Sequence, residues 1–198
     1  MKQIAVIGAG SWGTALAVIA ARAGHSVRLW SRNTAVVSSI NEQRVNASYL
    51  SSTSIPAGVT ATGDMETALR EASLVLLAVP SHAARETLTA IQSHLHEAAI
   101  IVSVAKGIEI ESGKCISEIT KEVVASSHPF VALSGPSFAK EVVDGHPTAI
   151  VAASKDNAAA RAVQNDLSFE NLRIYTNADV VGTEVGGSVK NVMAIAAG

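Results

Sequence analysis

Lys190 is the only charged residue between Val185 and Gly198. It stands in a helical pattern whose apolar face reads Val185, Val189, Val192 and Ala196, and a helix of that composition is expected to be buried nearly all round. An unpaired buried ammonium is costly, by roughly several kcal/mol. Lys190 therefore either reaches water along its stem or faces an anionic ligand. The companion Asn191 and the preceding Gly186-Gly187 favour a ligand site. Lys106 is a second lysine of this kind. It follows the apolar run "IIVSVA" and precedes Gly107, at the C-terminal edge of an expected parallel strand, where ligands of open α/β sheets sit. A lysine whose pKa is lowered by burial or by a neighbouring cation can give a proton to a carbonyl oxygen while hydride reaches the carbon. Two lysines can equally neutralise a phosphate, and the sequence does not separate the two roles.

Gly8, Gly10 and Gly13 stand in the G-x-G-x-x-G spacing within "AVIGAGSWGTALA". The pattern is weak alone. Here it closes an expected strand and opens an expected helix, the context that points to a dinucleotide. Gly8 permits the tight turn, Gly10 lets backbone approach a pyrophosphate, and Gly13 lets helix pack on strand. The helix N-terminus then presents free N–H groups and about half a positive charge to the phosphates. Ser11 and Trp12 lie on the turn, and Trp12 at the helix start is placed to touch a bound nucleotide. The second strand ends at Ser31-Arg32-Asn33, 19 residues past Gly13 at Arg32, where a ribose-binding acid commonly stands. A carboxylate there would repel a 2′-phosphate, whereas Arg32 can pair with one. NADP(H) is thus at least tolerated; the alternative is a solvated arginine on a loop.

The stretch "LSGPSFAKEV" stops a short strand at Ser134 and starts a helix expected from Ser137. Gly135 can expose a backbone N–H, Pro136 suits a helix start where its missing N–H costs little, and Ser137 brings a hydroxyl and an N–H to an anion. The six histidines and the single Cys115 show no metal-ligand spacing, so no metal is expected. No G-x-S-x-G occurs, which argues against a hydrolase triad.

The elements that must position these residues alternate. Apolar runs at 3–7, 26–30, 74–79, 100–104 and 130–133 read as buried strands, with "TAIVAA" and "LRIY" beyond them. Helical patterns lie between, and "NASYLSSTSIPAG" reads as a polar loop. Continuous apolar strands alternating with helices argue for an α/β, Rossmann-type, doubly wound and mostly parallel sheet. Composition agrees. Of the 198 residues, 48% are hydrophobic, dominated by Ala, Val, Ile and Leu, and 4% are aromatic. A net charge of −2 with no basic stripe excludes the usual nucleic-acid binder. No signal peptide and no run of membrane-spanning length appears, so a cytoplasmic protein without a membrane span is expected. Residues 1–179 are expected to form a nucleotide-binding domain. The final segment, 180–198, reads as the first helix of an all-α domain, and the chain as the N-terminal portion of a longer protein.

The motifs "GAGSWGTALA", "AVPSH", "AKGIE", "SGPSFAKEV", "HPTA" and "GGSVKNVMAIAAG", in this order, resemble the soluble bacterial NAD(P)-dependent glycerol-3-phosphate dehydrogenase family over the whole chain. The "KGIE", "SGPSFAKE" and "VKNV" elements are far more specific than the glycine pattern. The resemblance implies reversible conversion of dihydroxyacetone phosphate and NADH or NADPH into sn-glycerol 3-phosphate, for phospholipid synthesis. It implies that Lys190 exchanges a proton with the carbinol oxygen and that Lys106 contacts cofactor and substrate. Gly135 and Ser137 match substrate-binding positions, beside Lys190 and Asn191. Ser11, Trp12, Arg32, Tyr49 and Ala139 match cofactor-binding ones. A homodimer and a second, helical domain carrying further substrate ligands are also implied. Two other readings share parts of this pattern. A dehydrogenase of phosphorylated hydroxy acids would share the fold and a Lys-Asn pair, but not Gly-Pro-Ser with Lys106-Gly107-Ile108-Glu109. A nucleotide-sensing module would not need Lys190.

Overall fold

The computed structural model describes residues 1–124 and 128–198, with the backbone alone at residue 191. The chain runs β1 (Gln3–Ile7), α1 (Ser11–Arg22), β2 (Ser26–Trp30), α2 (Thr34–Gln43), β3 (Val45–Asn46), β4 (Leu50–Ser54) and β5 (Val59–Thr62). It continues through α3 (Met65–Leu69), β6 (Leu74–Leu77), α4 (Ala84–Ile91), β7 (Ile100–Ser103), α5 (Ile116–Val123) and β8 (Phe130–Ser134). The last elements are α6 (Ala139–Val143), β9 (Thr148–Ala153), α7 (Asn157–Leu167), β10 (Leu172–Asn177) and α8 (Val180–Ala197).

One eight-stranded sheet has the order β10-β9-β8-β7-β6-β1-β2-β5. Alternate residues of β1 feed two cores. Ile4 and Val6 pack with Leu16, Ile19 and Leu29 on one face. Ala5 and Ile7 pack with Leu69, Leu88 and Ile119 on the other. This is the period-two logic of a strand covered on both faces, which makes its sequence apolar throughout. The strand order reverses at β1, which pairs in parallel with both β2 and β6. A crevice outside the C-terminal ends of those strands is the binding position of such sheets.

The expected mostly parallel sheet is borne out, with four local departures from the sequence reading. First, β9 runs antiparallel to β8, with Ala132 opposite Ala153 and Ser134 opposite Val151. The connecting helix α6 is five residues long, about 7.5 Å. It packs on α1. Second, α6 begins at Ala139 after Phe138 rather than at Ser137, so Pro136 precedes the helix instead of opening it. Third, the polar loop after α2 contains an antiparallel hairpin, β3–β4. Fourth, α8 is not buried all round. Val180 packs on Ala132 and Ala153, but Val185 is 44% exposed, Val189 43% and Val192 66%. The helix uses its first turns against the sheet, and its apolar stripe then faces outward.

Candidate active site

The glycine turn sits between β1 and α1 at the point where the strand order reverses. Gly8 has φ +118°, a conformation that favours glycine. An added Cβ there would lie 2.5 Å from the carbonyl oxygen of Ala78, just past β6. At Gly13 a Cβ would meet the Gly8 carbonyl oxygen at 2.0 Å, so the close packing of helix on strand needs that glycine. Gly10 differs: a Cβ would meet nothing within 4 Å. Its missing side chain leaves open space in front of the N-terminus of a 12-residue helix, as a diphosphate requires. The turn therefore fits a dinucleotide, whose diphosphate the backbone N–H groups of Gly10, Ser11 and Trp12 would hold. The Ser11 hydroxyl donates to the Tyr49 carbonyl oxygen at 2.9 Å. Tyr49, 52% exposed, thus joins the turn through the β3–β4 hairpin. Arg32 lies just past the C-terminal end of β2, exposed. It is at the same sheet edge as the glycine turn.

Lys106 and Lys190 come together. The Lys106 ammonium donates to the Gly135 carbonyl oxygen at 3.3 Å and lies 5.9 Å from the Trp12 ring centre. The Lys190 ammonium stands 4.8 Å over the ring of Phe138. Both contacts are cation–π in kind. Although Lys106 as a residue is exposed, protein packed around its ammonium lowers the pKa. The Lys190 ammonium beside it lowers the pKa further. Two cations held together by separate elements make a site for an anion or for proton donation to an oxygen. A cleft of about 270 Å³ opens beside them, lined by Ser134, Gly135, Pro136, Gly186, Gly187 and Lys190. A Cβ at Gly135 would meet Ile150 Cγ2 at 2.8 Å on β9, so the close approach of the chain to β9 also needs that glycine. Ser137 is buried, and its hydroxyl lies 3.5 Å from the Gly135 carbonyl oxygen. Ala139 opens α6 and packs half-buried against the core around α1. The Asn191 side chain lies outside the described residues.

Three supports were not read from the sequence. Glu109, 9% exposed, takes the Arg85 guanidinium in a two-pronged pair at 2.9 and 2.8 Å. Arg85, and then the Ser112 hydroxyl, hold the Glu109 carboxyl at a pKa of about 2. The pair ties the loop carrying Lys106 to α4. Glu184, 8% exposed, accepts from the Ser117 N–H at 2.9 Å and the Ser117 hydroxyl at 2.5 Å. It thereby caps α5 from α8. Burial pushes the Glu184 carboxyl up despite those bonds. Asn46, fully buried, reaches the glycine turn. Each partner is far away in sequence, so no spacing announces the pair; the only signal is a charged or amide residue inside an otherwise apolar or turn-forming stretch. Among the described residues, no group of three or more His, Cys, Asp or Glu gathers as a metal site. No helix among them is long and apolar enough to cross a membrane.

Similarity to known proteins bears on this geometry. The family model described as NAD-dependent glycerol-3-phosphate dehydrogenase N-terminus matches residues 3–160. A glycerol-3-phosphate dehydrogenase [NAD(P)+] of Koribacter versatilis is 50% identical over 201 residues, covering 100% of this chain and 60% of the relative. Its counterpart from Clostridium tetani is 46% identical over 198 residues, covering 100% and 56%. The crystal structure of glycerol-3-phosphate dehydrogenase from Coxiella burnetii superposes with a TM-score of 0.92 at 35% identity, over 98% of this chain and 59% of that one. The chain thus spans roughly three fifths of the length of these relatives. With its glycine turn, reversed strand order and paired lysines, the chain belongs to the NAD-dependent glycerol-3-phosphate dehydrogenase family, whose N-terminal part it matches.

Proposed function

We propose that the protein reduces dihydroxyacetone phosphate to sn-glycerol 3-phosphate, reversibly, for phospholipid synthesis in the cytoplasm. The observation that carries this reading is the meeting of the Lys106 and Lys190 ammonium groups beside Trp12 of the glycine turn. The nicotinamide cofactor, when bound, supplies the hydride. Lys190 gives its proton to the carbonyl oxygen, which becomes the hydroxyl, and recovers a proton from solvent. Lys106 balances the phosphate charge. Its bond to the Gly135 carbonyl and its contact with Trp12 keep it between the nucleotide and substrate sides. Ser137 completes the substrate side of the pocket, and Asn191, next to Lys190 in the sequence, is assigned to the substrate. Ser11, Trp12, Tyr49 and Ala139 border the cofactor. Arg32 meets the ribose phosphate and favours NADPH over NADH. Residues 1–179 form the nucleotide-binding unit, and 180–198 begin a helical unit through which two copies associate. The outward apolar stripe of α8 supports that last point.

The test is NADPH oxidation by the intact protein with dihydroxyacetone phosphate and, separately, with unphosphorylated dihydroxyacetone. Turnover should require the phosphate, and Lys190→Ala should lower kcat by about 10²- to 10⁴-fold. Equal rates on both substrates would overturn the phosphate reading. Near wild-type turnover in the variant would remove Lys190 from the chemistry. In the same assay, Arg32→Ala should erase any preference for NADPH over NADH.

A further inference from the structure

We propose that Asn46 is a positioning residue for the dinucleotide, and that the β3–β4 hairpin belongs to the cofactor site through it. The proposal rests on reading the glycine turn as that site. Asn46 is fully buried. Its Nδ2 donates to the Ala9 carbonyl oxygen at 2.9 Å and to the Thr14 hydroxyl at 2.8 Å. The Thr14 hydroxyl in turn donates toward the same Ala9 oxygen at 3.4 Å. The Ala9 carbonyl is thus one corner of a closed triangle, held by the Asn46 amide and the Thr14 hydroxyl. The amide orientation follows, since its nitrogen faces two acceptors and the reverse orientation would press oxygen against oxygen.

Ala9 is the residue between the first two glycines of the turn. No peptide bond among the described residues is cis. In a planar trans peptide the C=O and the following N–H point in opposite directions. Drawing the Ala9 carbonyl inward toward Asn46 therefore aims the Gly10 N–H outward. Gly10 itself borders open space, since a Cβ there would meet nothing within 4 Å. Asn46 thus sets the direction of a diphosphate-facing donor without touching the nucleotide. The amide's other end indicates the same specialisation. Asn46 Oδ1 is buried with no partner among the described residues, a cost an apolar side chain of like volume would not carry. Thr53, on the same hairpin, also buries a hydroxyl without a partner among the described residues, so it makes no hydrogen bond to the turn. It therefore serves as the control.

The experiment measures binding of NADH, ADP-ribose and adenosine to the intact protein by calorimetry or ligand-observed NMR, with thermal melts alongside. Asn46→Leu should weaken NADH and ADP-ribose by about tenfold or more, while adenosine, which carries no phosphate, stays within about twofold. Thr14→Val should weaken ADP-ribose by about two- to fivefold and spare adenosine. Thr53→Val should leave all three ligands unchanged. Undiminished NADH and ADP-ribose binding by a cooperatively folding Asn46→Leu overturns the proposal. So does an equal loss of adenosine, which reports general damage. If Asn46→Leu does not fold, Thr14→Val decides: wild-type ADP-ribose affinity overturns the proposal, and selective loss supports it. An unaltered protein that binds no NADH would instead overturn the cofactor reading, and this one with it.

Discussion

The Lys106 ammonium is held less firmly than a lysine in water, because protein surrounds it and the Lys190 charge faces it. The sign of the consequence is fixed. Its pKa lies below the usual 10.5, so it loses its charge earlier as pH rises. Affinity for a doubly charged phosphate should therefore fall as pH climbs through that lowered pKa. Kd for sn-glycerol 3-phosphate measured from pH 7 to 10 should show this fall. Lys106→Arg, which stays charged, should flatten the profile. Lys106→Ala should weaken binding by about tenfold to a hundredfold at neutral pH, as expected for loss of a charged hydrogen-bonding partner. At this scale the sequence was legible wherever a residue type was out of keeping with its run. Lys190 in an apolar helix and the three glycines after an apolar strand both stood out. Asn46 did not, because an asparagine after a helix reads as turn chemistry. Its burial depends on a hairpin folding over the glycine turn.

Between residue and molecule lie the joints that fix the two lysines. The loop bearing Lys106 is tied to α4 by Arg85–Glu109. Glu109 titrates at about 2 against an ordinary 4.5. The stability this pair contributes is fully present above about pH 4.5 and is lost as pH falls toward 2. Glu109→Gln should therefore melt at a lower temperature than the unaltered protein at pH 7. The two melting temperatures should converge as pH approaches 2, which thermal unfolding at stepped pH will read. Element type was largely legible from apolar runs and their spacing. Direction was not. Nothing in "TAIVAA" says that β9 runs against β8, because a short apolar strand reads alike in either direction; the length of α6 does not say it either, since α3, equally short, joins the parallel strands β5 and β6. The hairpin was missed for a like reason. Only two residues form β3, too few for an alternation to register.

For the whole molecule, the ligand edge of the sheet is common to β1, β2, β6, β7 and β8, all parallel. The doubly wound class followed from the sequence because strands covered on both faces are apolar throughout. The outward-facing stripe of α8 did not follow, because an apolar helix reads alike whether covered or bare. Its consequence for chemistry can be tested by length. Deleting Gly186 should turn Lys190 by about 100° around the helix and shift it by about 1.5 Å. Turnover should then fall as far as in Lys190→Ala, while NADH affinity stays at its unaltered value.

The reversal at β9 explains why such a measured length of helix is needed. Strands β9 and β10 run away from the ligand edge, so α8 starts at the opposite rim, where Val180 packs on Ala132 and Ala153. From there it must climb back. Ten residues of helix from Val180 to Lys190 rise about 15 Å, close to the roughly 13 Å from Phe130 to Ser134 along β8. A single reversal of strand direction thus makes the last helix a ruler laid against the sheet, and Lys190 is the mark at its top.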